Sequence, residues 1–526
     1  MRTPKLTAAL IAVACVCPIA HAQSPEVGKQ RKLIFHDIRT DRDGKLLPWY
    51  SESPGTAYDH VLGLLWNYWK YMPAFYELAP GGKPYGGLDI KKYLVFRTLE
   101  DQGVGGDQFA MILSSWKLYY AYSGDREVLD NMVYQADYYL AHSLSPASSA
   151  WPSLPYPCNL TRNAIYDGDL TSGKDITQPD KAASFAAEIV DLFKITGEKK
   201  YLQAANAIAA TLAAKIQPGD ADNSPLPFKV NALTGEVKSR YTTNWTGALR
   251  LFEYLLALKT GDAAAYQKAF DLLSAWLKQY PLKTNKWGPF FEDIPGWSDT
   301  EINEGSMAWY MLERPSWDPD WKRDVRALQD WAIGKFTISH WEQYGLTVIG
   351  EQTVYNMQGN SHTSRHASVE LRYAEETGEQ ARVEESIRQL SWATYMVDFD
   401  GKNRYPNFNT YELWWTDGYG DYVRHYLRAM AACPRIAPPD QDHLLRSTSI
   451  VSKIEYSRNV IRYSTFDSDA TEVLRLRSKP RQISAGGSIL KQRARASGAG
   501  WTWEALQHGG ILRLRHDSSP DITIRD

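Results

Sequence analysis

Cysteine is scarce in this chain: there are four in 526 residues, and two of them, Cys15 and Cys17, sit inside an N-terminal apolar stretch. The other two, Cys158 and Cys433, are too few for a disulfide framework, although an oxidising compartment would permit them to pair. An excess of one charge sign is also missing, with 59 Lys plus Arg against 61 Asp plus Glu. That balance excludes the basic stripe on which nucleic-acid binding depends. Beyond the N-terminus no apolar run approaches the length needed to cross a bilayer. Metal motifs are absent too. His362 and His366 stand four apart, on one face if both are helical, but no HExxH glutamate follows the first, so neither metal nor cofactor is expected.

The N-terminus, "MRTPKLTAALIAVACVCPIAHAQ", places Arg2 and Lys5 before a short apolar segment and ends on Ala20-His21-Ala22. This is the pattern of a secretory signal over 1–22, and the mature protein is expected in the periplasm or outside the cell, with no membrane attachment after cleavage. Hydrophobic residues make up 44% of the chain and aromatic ones 13%, enough for a large core. Most of those rings are expected to pack helices together. Flat rings also suit stacking on sugar faces wherever a cleft presents them.

Apolar positions recur at i, i+3, i+4 and i+7 in six segments, among them "SGDREVLDNMVYQADYYLAHSL", "TGEKKYLQAANAIAATLAAKI" and "TGDAAAYQKAFDLLSAWLKQY". Between them lie six more helical stretches, at about 106–122, 179–195, 243–259, 302–313, 363–376 and 417–431, which are richer in Ala, Gly, Ser and large aromatics. The connections are unequal. Leaving the second kind of helix the chain turns within a few residues ("YSGD", "ITGE", "KTGD", "ETGE"), whereas entering it the chain crosses long stretches such as 145–177, 217–241 and 336–362. Long irregular loops in compact domains are usually functional. Six hairpins closing into a ring would gather these loops at one end, around the N-termini of the inner helices. The expected architecture is therefore mainly α, an (α/α)6 toroid over 30–435 with a single cleft. After the Pro-rich stretch 433–442 the pattern changes to period two, and an antiparallel, β-sandwich-like domain is expected over 445–526. In this arrangement Cys158 lies at the cleft end and Cys433 at the other, so they should not be bonded.

The residues at the inner-helix starts should then converge. They are Asp107, Asp180 with Lys181, Asn244 with Trp245, Glu301 with Glu304, His362 with Arg365 and His366, and Asp417 with Tyr419 and Asp421. Asp, Asn, Ser and Thr are preferred caps, and acids in a first turn complement the helix dipole, so capping alone accounts for any one of the acids. It does not account for Lys181, Arg365, His366 and Trp245 at the same level. A ring of acids, cations and aromatics is equipment for glycosidic-bond hydrolysis, in which one carboxyl protonates the leaving oxygen and a second activates water or attacks carbon. Asp107 and Asp180 on neighbouring helices are the first candidates and Glu304 the next. Arg365 with His366 would hold a substrate carboxylate, Lys181, Asn244 and His362 would contact substrate, and Trp245 and the Trp414-Trp415 pair would stack on sugar rings. A lyase is the alternative. There a Tyr or His removes the C5 proton of a uronate while Asn, Arg or His neutralises the carboxylate, and Asn360, His362, Arg365, His366, Arg404, Tyr405 and Tyr411 supply that set. A non-catalytic, glycan-binding helical protein is the third reading.

"GGDQFAMILSSWKLYYAYSGDREVLDNMVYQAD" resembles a stretch of the six-hairpin glycosidases, notably the unsaturated glucuronyl hydrolases and their rhamnogalacturonyl relatives, and "QPDKAASFAAEIVDLFKITGEKKYLQAANAIA" is similar to the next hairpin of that family. The resemblance implies that Asp180 acts as general acid/base with Asp107 assisting. The chain differs from the family in Gly106 before Asp107, in Pro179 and Lys181 around Asp180, and in the added β-domain. The expected function is thus a secreted glycoside hydrolase acting on a uronic-acid-containing poly- or oligosaccharide.

Overall fold

A computed structural model describes residues 36–71, 106–160, 165–291, 294, 296–356, 358–401, 403, 421–495 and 498–526. Outer helices α1 (Pro54–Tyr71), α3 (Arg126–Ser143), α5 (Lys199–Lys215), α7 (Ala263–Gln279), α10 (Trp321–Phe336) and α12 (Val383–Thr394) alternate along the chain with inner helices. The inner helices are α2 (Gly106–Ser123), α4 (Pro179–Thr196), α6 (Thr246–Ala257), α9 (Glu301–Glu313), α11 (Asn360–Thr377) and α13 (Tyr422–Ala432); α8 (Pro281–Thr284) is one turn after α7. Burial separates the two kinds. In α2, 14 of 18 residues are buried, whereas in α5 only 6 of 17 are, because an outer helix buries one stripe and an inner helix is packed on several sides. The inner helices neighbour one another in the order α2, α4, α6, α9, α11, α13, and α13 packs back on α2. The ring is closed.

The short turns are built by two local rules. Gly124, Gly197, Gly261 and Gly378 all adopt left-handed backbone, with φ between 69° and 81°, where a β-carbon would be strained. At Gly197 and Gly378 the backbone N–H returns 2.8 Å to the carbonyls of Phe193 and Ala374, closing the inner helix. After Gly124 and Gly261 the acid that follows caps the outer helix: the Asp125 carboxylate accepts from the Glu127 N–H at 2.9 Å and Asp262 from Ala265 at 3.0 Å. The long loops carry small antiparallel pairings of their own, such as 176–177 with 229–231 and 337–338 with 348–349. Cys158 lies in one of them, bonded through its N–H to the Gly168 carbonyl, while Cys433 ends α13 at the opposite end of the ring, and no disulfide joins the two.

Beyond α13 the chain forms two antiparallel sheets. One orders its strands 488–489, 482–485, 521–525, 460–465 and 451–457, the other 500–505, 510–516, 470–476 and 443–447. Alternating burial along 510–516 and 521–525 supplies the core between them. These sheets sit at the C-terminal ends of the inner helices. The His443 ring stacks on Tyr122 at 3.8 Å, Tyr456 donates its hydroxyl to the Ala121 carbonyl at 2.7 Å, and Arg446 forks onto Glu375 with both bonds at 2.7 Å. The end of the ring facing away from the long loops is therefore covered by β-structure.

Candidate functional site

A cavity of about 770 Å³ runs down the axis of the ring. Each inner helix contributes one stripe at three- and four-residue spacing: Asp107, Ser114 and Lys117 from α2; Lys181, Ser184, Glu188 and Asp191 from α4; Arg250 and Tyr254 from α6. On the far side α9 contributes Gly305, Trp309 and Glu313, α11 contributes Arg365 and Arg372, and α13 contributes Arg424 and Arg428. Leu445 to Ile450 of the β-domain line the far end, so the β-structure is the floor of the cavity.

At the mouth, the α2, α4 and α6 side assembles four of the sequence candidates. Asp107 is buried in the first turn of α2 and lines the cavity. Asp180, in the first turn of α4, lies fully buried behind Lys181 and Asn244. The Lys181 ammonium donates to Asp180 Oδ2 at 3.0 Å and the Asn244 amide donates to the same oxygen at 2.9 Å. Oδ1 of Asp180 has no hydrogen-bond partner among the described residues. Lys181 is itself held, donating to the Phe290 carbonyl at 2.7 Å with that residue's ring 3.4 Å from its nitrogen. A carboxylate with one oxygen fixed by two donors and the other left open is positioned for proton transfer at a single atom. Trp245, expected to stack on sugar, is instead fully buried, with its indole N–H on the Thr242 carbonyl at 2.8 Å; it packs the wall behind Asn244.

The α9, α11 and α13 side uses its polar residues differently. Arg365 is buried between Glu301 and Asp421, with one guanidinium nitrogen on each carboxylate, and so ties three inner helices together. Gly305 makes room for it, since a β-carbon there would come within 2.9 Å of Arg365 Cδ. His362 completes the cluster, its Nδ1 3.4 Å from Glu301. Arg365 was expected to hold a substrate carboxylate, but two protein carboxylates already occupy it. Glu304, the third catalytic candidate, turns toward outer helix α10, where it accepts from the Gln329 amide at 3.1 Å. Burial, together with Glu301 beside it, pushes its carboxyl well above the usual range. His366 faces the same layer, 3.9 Å from Glu370, and burial pushes it down to about 4, so it stays neutral. Neither Glu304 nor His366 lines the cavity. Arg404, Tyr405, Tyr411, Trp414, Trp415, Asp417 and Tyr419 lie outside the described residues.

Deeper in the cavity lies a belt of charge that sequence reasoning missed. Glu188 and Asp191 of α4 are bracketed by Lys117, at 2.7 and 2.6 Å, and by Arg250, at 2.7 Å from Glu188. Burial alone would raise both acids, but the cations on either side win and hold them below the usual range. The sequence does carry the signal, because Asp180, Ser184, Glu188 and Asp191 form one polar stripe on an otherwise apolar helix.

No family model matches the sequence and no curated protein proved similar to it. Solved structures do match. Cellobiose 2-epimerase from Spirochaeta thermophila aligns with a TM-score of 0.51 at 12% identity, over 73% of this chain and 97% of that one. The chain has the six-hairpin, twelve-helix toroid fold. Cellobiose 2-epimerase from Bacillus thermoamylovorans matches the toroid equally, with a TM-score of 0.51 and 12% identity over 71% of this chain and 98% of its own. A glycosyl hydrolase family 88 structure from Bacteroides vulgatus aligns with a TM-score of 0.43 at 11% identity over 73% and 99% of the two chains. At these identities the likeness to the toroid is one of fold.

Proposed function

We propose that this protein is a secreted carbohydrate-active enzyme that hydrolyses a glycosidic bond at the α2, α4 and α6 side of the cavity mouth. The observation that carries the proposal is the pair of buried first-turn acids on adjacent inner helices, Asp107 at the cavity wall and Asp180 directly behind it. Asp180 acts as general acid/base through Oδ1, the oxygen that Lys181 and Asn244 leave open, and Asp107 assists. The cavity lining carries ten Lys and Arg against six Asp and Glu, which favours a substrate carrying a carboxylate, such as a uronic-acid-containing oligosaccharide. The lyase arrangement finds less support, because Arg365 is bound by Glu301 and Asp421 and His366 faces Glu370 toward the outer layer.

The test incubates the protein with neutral and uronic-acid oligosaccharides and follows three readouts: new reducing ends, ultraviolet absorbance from a C4=C5 double bond, and change of sugar identity without cleavage. Reducing ends with steady absorbance, or falling absorbance on unsaturated oligosaccharides, support hydrolysis. Rising absorbance would establish a lyase, and a changed sugar at constant reducing ends would establish an epimerase or isomerase. Either of those two results overturns the proposal.

A further inference from the structure

Below the mouth the cavity is walled by guanidinium groups from opposite sides of the ring, and this part of it forms a chamber. Arg424 and Arg428 stand four apart on α13, and Arg250 enters from α6, the inner helix diametrically across. Two of the three are bound: Arg250 to Glu188 at 2.7 Å, and Arg424 to Asp421, with a further bond from Arg424 to the Ser114 hydroxyl at 2.9 Å. Arg428 differs. Among the described residues its guanidinium makes no ion pair or hydrogen bond, and it lies against the face of Trp309, 4.3 Å from the ring centroid. The acids that act on it electrostatically, Glu313 and Glu188, are engaged elsewhere: Glu313 is 3.1 Å from Arg314, and Glu188 is 2.7 Å from both Lys117 and Arg250. Burial, reinforced by Arg424, pushes Arg428 down to about 9, and burial likewise pushes Arg424 down to about 10. A guanidinium is ordinarily the residue that never gives up its proton, so such a depression marks positive charge crowded in a poorly solvated space.

We propose that this chamber binds a small oxyanion group, a carboxylate, sulfate or phosphate, gripped by Arg428 and flanked by Arg250 and Arg424. Arg428 is partly buried, and the acids nearest it, Glu313 and Glu188, are shared with other cations, so an anion on the axis of the ring would add the direct partner that Arg428 lacks. A planar guanidinium with a ring on one face keeps its edge donors free for the bidentate contact that oxyanions accept. The chamber is continuous with the mouth, so the anion can be either a free ion or the acidic group of a bound sugar.

The test measures thermal unfolding of the full-length protein in chloride buffer at fixed ionic strength, with added sodium sulfate, inorganic phosphate or glucuronate. The wild type should show a saturable rise of about 1–2 °C with at least one of the three. Sulfate or phosphate acting more strongly identifies a free ion, and glucuronate acting more strongly identifies a sugar acid. Arg428→Gln should remove the saturable rise while keeping a cooperative melt. No saturable rise in the wild type, or an equal rise in Arg428→Gln, would overturn the proposal. Arg428 lies in the second turn of α13, away from the first-turn residues assigned to hydrolysis, so hydrolysis and anion binding are tested separately.

Discussion

The two halves of the cavity mouth are written alike in sequence and used differently in the fold. On the α2, α4 and α6 side, polar residues of the first turns face the axis: Asp107, Lys181 and Asn244 line the cavity with Asp180 behind them. On the α9, α11 and α13 side, Glu301, His362, Arg365 and Asp421 close on one another, while Glu304 and His366 turn outward to Gln329 and Glu370. One half leaves polar capacity open toward a ligand and the other spends it holding helices in register. A polar residue at an inner-helix start is therefore not in itself evidence of chemistry; the direction in which its stripe faces decides.

Breaking the structural half should have the largest effect on stability. Arg365→Met leaves Glu301 and Asp421 buried without their shared cation, and a loss of about 3–5 kcal/mol is expected in urea unfolding. A loss below about 1 kcal/mol would mean that Arg365 is available to substrate after all. Breaking the working half should instead spare the fold. Asp107→Asn is expected to lower kcat by about 10²-fold on the best substrate, with the melting temperature little changed.

Much of this division is legible in the amino-acid sequence. The Gly and acid pairs in "SGD", "TGE" and "TGD" mark the C′ and N-cap positions of consecutive helices, and the helix bounds they set agree with the observed ones to within a few residues, because both signals are local backbone chemistry. The facing of a stripe is legible as well. Ser184, Glu188 and Asp191 continue from Asp180 in one polar stripe, and that stripe borders the cavity from Ser184 on. Glu304 shares its stripe with Ala308 and Met311, an apolar row that must be packed. His366 leads to Glu370, which is paired with Arg326 and Arg382 from the outer layer. What the sequence could not show is pairing between helices, such as Arg365 with Asp421 on the next inner helix or Arg250 facing α13 across the ring, because only folding brings those residues together.

The smallest effect sharpens the same contrast through pH. Burial and the neighbouring Glu301 hold the Glu304 carboxyl well above the usual range in the folded protein, whereas the unfolded chain titrates near the ordinary carboxyl value. Its favourable contribution is complete at low pH and is lost as pH rises through neutrality, because the native state then binds more protons than the unfolded state. Glu304→Gln removes that dependence. The variant should melt close to the wild type at pH 4 and about 2–4 °C above it at pH 8, with turnover retained. A variant that lost turnover would return Glu304 to the site.

The most direct measurement compares Asp180→Asn with the wild type on the most active oligosaccharide, following turnover and melting temperature in the same preparations. Asn keeps the shape of the side chain and can still accept from Asn244 and from Lys181, whose ammonium also keeps the Phe290 carbonyl and ring, so the fold should persist with some loss of stability. The expected result is a fall in kcat of about 10³-fold with a melting temperature within a few degrees of the wild type. Undiminished turnover in that variant would contradict the assignment of chemistry to the α2, α4 and α6 side of the mouth.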